Sequence, residues 1–203
     1  MQLIGMLDSP YVRRVAISLK LLGLPFEHRP VSVFRHFEQF RQINPLVKAP
    51  TLVCDDGEVL MDSSLILDYL EQLAGSGGLM PSAGMARRRV LQLLGVALTA
   101  CDKTVQAVYE MQQRPPEKLH QPWLDRLQLQ IDAAYAILES ATLQARPWLL
   151  GESLNQADIS VAVAWRFTQY YLSDLVRAER HPALAAFSER AESLPEFAST
   201  PLD

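Results

Sequence analysis

Gly75-Ser76-Gly77-Gly78-Leu79-Met80-Pro81-Ser82-Ala83-Gly84 is the one dense run of turn formers in this chain of 203 residues, and the sequence pattern changes character across it. Upstream, Gln2 to Met6 reads as a short buried strand. Pro10 then sits where a helix can begin, and Val12, Val15, Ile17, Leu19, Leu21 and Leu22 continue it to a stop at Gly23. Glu27 to Val33 has the alternating, β-branched look of a second strand, and Phe34 to Gln42 is a short helical stretch ending before Asn44-Pro45. Ala49 to Cys54, the turn Asp55-Asp56-Gly57 and Glu58 to Met61 spell a hairpin. Asp62-Ser63 caps a helix through Leu65, Ile66, Tyr69, Leu70 and Leu73, so the order of elements is βαβαββα.

Downstream of the turn-forming run the strand signals disappear. Long amphipathic segments take their place at about Met85 to Gln113, Pro116 to Ala141 and Gln156 to Val176, with a shorter one from Pro182 to Ser193. The expected fold class is therefore an α/β N-terminal domain over residues 1–76, a linker over 77–85 and an all-α C-terminal domain over 86–203.

Composition narrows the function classes. Apolar residues make up 49% and charged residues 21%, ordinary values for a globular protein. The longest apolar stretch, around Leu91 to Cys101, stops at Asp102-Lys103 and is too short to span a bilayer, so no membrane association is expected. The net charge of −4 leaves no basic excess for nucleic acid. Arg87-Arg88-Arg89 is a local exception and reads as a solvated face or an interface salt-bridge donor. Cys54 and Cys101 lack CxxC spacing and nearby histidines, which predicts reduced thiols and no metal. The N-terminus reaches Asp8 without a basic leader, which predicts a cytoplasmic protein.

In Leu154-Asn155-Gln156-Ala157-Asp158-Ile159, Asn155 as N-cap and Asp158 at the third helical position form a capping box, with Leu154 and Ile159 as its hydrophobic staple. Asp158 is accordingly expected to satisfy orphan N–H groups at a helix start rather than to catalyse. Ser9, taken alone, reads in the same way as an N-cap.

Four stretches, read together, resemble the cytosolic glutathione transferase family. They are Ser9-Pro10-Tyr11-Val12-Arg13-Arg14-Val15, Asn44-Pro45-Leu46-Val47-Lys48-Ala49-Pro50, Asp62-Ser63-Ser64-Leu65-Ile66 with Tyr69, and the Asn155–Asp158 capping box. The resemblance covers essentially the whole chain and is most similar to the serine-type plant tau class and related bacterial members. It implies a thioredoxin-like N-terminal domain, a homodimer, and glutathione as co-substrate with no metal.

The resemblance also assigns roles. Ser9 would be the catalytic residue, a hydrogen-bond donor that acts with a helix N-terminus to hold the glutathione sulfur as thiolate. Lowering a thiol pKa from ~8.5 by about two units takes about 2.7 kcal/mol, within reach of one charge-assisted hydrogen bond and a helix end. Ser9 would not itself attack, because glutathione is the nucleophile. Pro50 would be cis, so that the main chain of Ala49 pairs with the glutathione cysteine by strand addition, the alternative being an ordinary trans proline that starts a strand. Ala49 stands where the family usually has a branched residue. Lys48 would meet the glycyl carboxylate, or be an ordinary surface lysine.

At the next helix start, Ser63 and neighbouring N–H groups would take the γ-glutamyl carboxylate, with Asp62 or a dimer partner on its ammonium. Asp8 is expected to turn away from the thiol, since a second anion there would oppose ionisation. An electrophile pocket between the domains is expected from Tyr11, Thr104, Val108 and Tyr109, with Trp165 and Phe167 as further candidates, each equally readable as core. The function implied is transfer of glutathione to a small, apolar electrophile, or peroxide reduction. The alternatives are a non-catalytic binding module of the same fold and a glutathione-dependent isomerase.

Overall fold

The computed structural model describes residues 1–202 and divides the chain into two compact units, Met1–Met80 together with the chain from Ser193 onward, and Pro81–Glu192. The second unit thus ends earlier than the expected 86–203, because the last stretch of chain packs with the first unit.

In the first unit, β1 (Gln2–Ile4), α1 (Pro10–Leu21), β2 (Glu27–Arg29), α2 (Phe37–Ile43), β3 (Thr51–Val53), β4 (Val59–Met61) and α3 (Ser63–Ala74) follow the expected βαβαββα order. The sheet order is β2-β1-β3-β4, with β1 and β2 parallel and the other pairs antiparallel. β2 stops short of the expected Val33 because Pro30 has no N–H to give the ladder.

Alternation along β1 sends Leu3 and Ile4 to opposite faces. Leu3 joins Val12, Val15 and Leu19 of α1 and Ile66, Leu67 and Leu70 of α3 in one core cluster. Ile4 joins Val31 and Phe40 in the other, where α2 packs.

In the second unit, α4 (Gly84–Gln113), α5 (Gln121–Thr142), α6 (Gln156–Leu172) and α7 (Pro182–Glu192) are the amphipathic segments of the sequence. α4 packs on α5 and α6, and α6 on α7, around Val90, Leu93, Ala97, Leu127, Ile131, Leu138, Ile159 and Val163. α5 begins at Gln121 rather than Pro116, since Pro116–Lys118 forms a separate tight turn and Pro122 occupies the first turn of the helix. A short helix absent from the sequence reading, α8 (Pro195–Ala198), lies against α1 of the first unit.

Candidate functional site

Strand register builds the site. Ile4 at the end of β1 pairs with Thr51 at the start of β3, and Thr51 pairs with Met61 at the end of β4. One row of the sheet therefore feeds three features at the same edge: the Gly5–Ser9 turn into α1, the Ala49-Pro50 approach to β3, and the Asp62-Ser63 start of α3. Hydrogen bonds and packing tie these features together.

Ser9 is the N-cap of α1, with φ −73° and ψ 122°. Its Oγ accepts from the Val12 N–H at 3.4 Å, and its carbonyl takes the Arg13 N–H at 2.9 Å. A hydroxyl that accepts through a lone pair keeps its hydrogen to donate. The side chain is half-buried, at the positive end of a helix with no acidic residue in its first turn.

The Ala49–Pro50 peptide bond is cis, and Pro50 is buried. The loop leading to it hangs on buried Asn44, whose Nδ2 donates to Thr51 Oγ1 at 2.9 Å while its Oδ1 accepts from the Leu46 N–H at 3.0 Å. Thr51 Oγ1 in turn donates to the Lys48 carbonyl at 2.7 Å. Ala49 lies outside the β3 ladder, and among the described residues its main-chain N–H and C=O have no hydrogen-bond partner. That is an exposed strand edge of the kind an extended peptide can extend.

Asp62 caps α3 with its Oδ1 on the Ser64 N–H at 2.9 Å, from a positive φ of 71° that is costly for a residue with a Cβ. Its other oxygen lies 3.7 Å from Lys48 Nζ, an exposed pair worth at most about 1 kcal/mol. Ser63 is buried, and its Oγ accepts from Arg14 Nη1 at 3.1 Å; the same nitrogen donates to Ser64 Oγ at 3.3 Å.

Two contributors escaped the sequence reading. Arg14, 2% exposed, links α1 to the start of α3 from beneath. Gly5, at φ +139°, lets α1 and the Ala49 loop close on each other: a Cβ there would stand 2.6 Å from Val12 Cγ2 and 3.2 Å from Ala49 Cβ. A glycine after a strand is a weak local signal, and Arg14 has none, since its partners lie on a distant helix.

The residues expected around the electrophile belong to different units, Tyr11 to the first and Thr104, Val108 and Tyr109 to the second. Tyr11 is half-buried and Tyr109 exposed. Thr104 takes the core alternative: it is 0% exposed, and its hydroxyl is hydrogen-bonded to Thr168 Oγ1 at 2.8 Å inside the second unit. Thr168 also bonds Tyr135, whose hydroxyl donates to the Ala164 carbonyl at 2.9 Å. Burial pushes the Tyr135 phenol far up, so it stays protonated. Val108 is buried, as are Phe167 and Trp165, the latter edge-on to Tyr135.

Cys54 follows β3, beside Tyr69, and burial pushes its thiol up, an inert setting. In the second unit the Asn155–Asp158 capping box is formed, with Asp158 accepting from the N–H groups of Asn155 and Leu149, each at 2.8 Å. Among the described residues no cluster of three potential metal ligands occurs, and no helix is long and apolar enough to cross a membrane.

This topology and edge define a thioredoxin-like α/β unit, here followed by a helical one. Residues 3–78 match the glutathione S-transferase N-terminal domain, and residues 121–190 match the glutathione S-transferase C-terminal domain. A glutathione transferase family member from Pseudomonas fluorescens Pf-5, solved with bound glutathione, is 34% identical at a TM-score of 0.87, over 100% of this chain and 98% of that one. A glutathione S-transferase from Methylobacterium radiotolerans, in complex with glutathione sulfonate, is 30% identical at a TM-score of 0.91, over 98% and 93% of the two chains. The uncharacterised GST-like protein YibF of Escherichia coli K12 is 29% identical over 164 residues, 81% of this chain and 80% of YibF. The chain belongs to the glutathione S-transferase family.

Proposed function

We propose that this chain binds glutathione along the row of element ends and stabilises its thiolate at Ser9 for attack on a small, apolar electrophile. The observation that carries the reading is the register Ile4–Thr51–Met61, which gathers the α1 N-cap, the unpaired main chain of Ala49 and the α3 N-terminus at one edge. Glutathione bound in the Pseudomonas fluorescens relative supports it.

The thiol proton leaves to water, and the Ser9 hydroxyl donates to the sulfur anion while its own oxygen rests on the Val12 N–H. Ala49 pairs with the cysteinyl main chain. The glycyl carboxylate takes Lys48 and the γ-glutamyl ammonium takes Asp62, so two ligand charges replace the weak Lys48–Asp62 pair. The γ-glutamyl carboxylate faces the first N–H groups of α3, with Ser63 held by Arg14. The thiolate then forms the new carbon–sulfur bond, either expelling a leaving group with its electron pair or, at an activated alkene, moving the π pair to the neighbouring carbon, which takes a proton from water. A homodimer acting in detoxification completes this reading, supported by the sequence resemblance alone.

Calorimetric titration with glutathione tests it: saturable binding at millimolar concentration or below is expected, weakened by Lys48→Met and Asp62→Asn. Wild-type protein that binds no glutathione at millimolar concentration contradicts it.

A further inference from the structure

Arg13 sits one helical turn on from Ser9 and is 1% exposed, although it carries a permanent charge. Its main-chain N–H makes the bond to the Ser9 carbonyl, 2.9 Å. Its side chain runs to the far end of the chain. Nε donates to the Thr200 carbonyl at 2.7 Å and Nη2 to the Phe197 carbonyl at 3.3 Å, and the guanidinium carbon lies 6.0 Å from the centre of the Phe197 ring. Phe197 is fully buried and Thr200 nearly so. Thr200 Oγ1 bonds the Glu196 and Phe197 carbonyls at 3.0 and 3.1 Å, closing α8 into a compact plug.

We propose that this plug is a latch for the proposed glutathione site: the chain end holds the first turn of α1, and with it the Ser9 hydroxyl, in place, with Arg13 as the positioning residue. The inference rests on the reading of Ser9 given above. Taking a guanidinium out of water costs several kcal/mol unless acceptors replace the lost hydration, and the Thr200 and Phe197 carbonyls are among those that do so. A planar fork suits two carbonyls held at fixed spacing, which a lysine ammonium on a flexible stem does not reproduce. With the tail removed, the guanidinium turns toward water and carries the first turn of α1 with it.

The test compares wild type, Arg13→Lys and a chain ending at Glu192 by amide hydrogen exchange, glutathione titration and thiolate absorbance. The latch predicts faster exchange confined to Val12–Arg14, glutathione affinity lower by about ten- to hundredfold, as loss of one hydrogen bond to a charged group produces, and a bound-thiol pKa moved up toward that of the free thiol. Wild-type affinity and thiol pKa in a folded Arg13→Lys protein overturn it, as does loosening spread evenly over the first unit. Where the shortened chain fails to fold, Arg13→Lys alone decides. If wild type binds no glutathione, the Ser9 reading fails separately, and exchange at Val12–Arg14 still decides: release in Arg13→Lys supports the latch and unchanged protection overturns it.

Discussion

At the scale of single residues, Gly5 has the most consequence for its size. Its carbonyl accepts from His28 Nε2 at 2.8 Å and its N–H donates to the Arg29 carbonyl at 3.1 Å, so its main chain is pinned to β2 at a φ that L side chains rarely adopt. The obstructing atom would be Cγ2 of Val12, a β-branched side chain with little rotamer freedom. Gly5→Ala is therefore expected to cost about 1–3 kcal/mol of stability and to weaken glutathione binding as Ala49 is pushed away. Urea unfolding and calorimetric titration check this; wild-type values in both would contradict it. Ser9, Lys48, Asp62 and Ser63 were legible as candidates because each sits in a short motif next to a Pro or a helix start. Arg13 and Arg14 were not, because charged residues on an amphipathic helix read as solvated until the partners burying them, far along the chain at Thr200 and Ser63, are known.

At the scale of elements, the local signals were dependable and the long-range ones absent. The hairpin around Gly57, the α3 cap and the α6 capping box need only neighbouring residues, and all three form. α8 was missed because a four-residue helix has no periodicity to detect and exists through its packing on α1. For Thr104 the sequence leaves pocket and core both open, because helical spacing puts a polar residue on a face without saying that Thr168 waits opposite.

The α6 capping box carries a pH signature. Burial raises the Asp158 pKa from the usual carboxylate value to about 6, against the N–H groups of Leu149 and Asn155 that favour its charge. A folded pKa above the unfolded one means the native state binds the extra proton, so the contribution is full below about pH 4 and lost as pH rises through about 6. Relative to Asp158→Asn, which does not titrate, wild type is expected to lose up to about 3 kcal/mol of unfolding free energy between about pH 4 and pH 7. Denaturant unfolding of both proteins across that range checks the sign; a constant difference would contradict it.

At the scale of the whole molecule, two units with different patterns were readable from the turn-forming run at Gly75–Gly84, but the return of the chain end to the first unit was not. Chain order alone carries no information about which unit claims a tail; here the tail returns with Phe197 buried against the first unit and with carbonyls on the buried Arg13 guanidinium. The candidate site was legible as a set of motifs, and the strand register of Ile4, Thr51 and Met61 supplies the reason they meet at one edge. The central claim is that the Ser9 hydroxyl and the α1 N-terminus together stabilise a glutathione thiolate. Ultraviolet titration of the bound thiol tests it most directly: wild type is expected to ionise glutathione about two pKa units below ~8.5 and Ser9→Ala to return most of that shift, whereas equal thiol pKa values in the two proteins would contradict it.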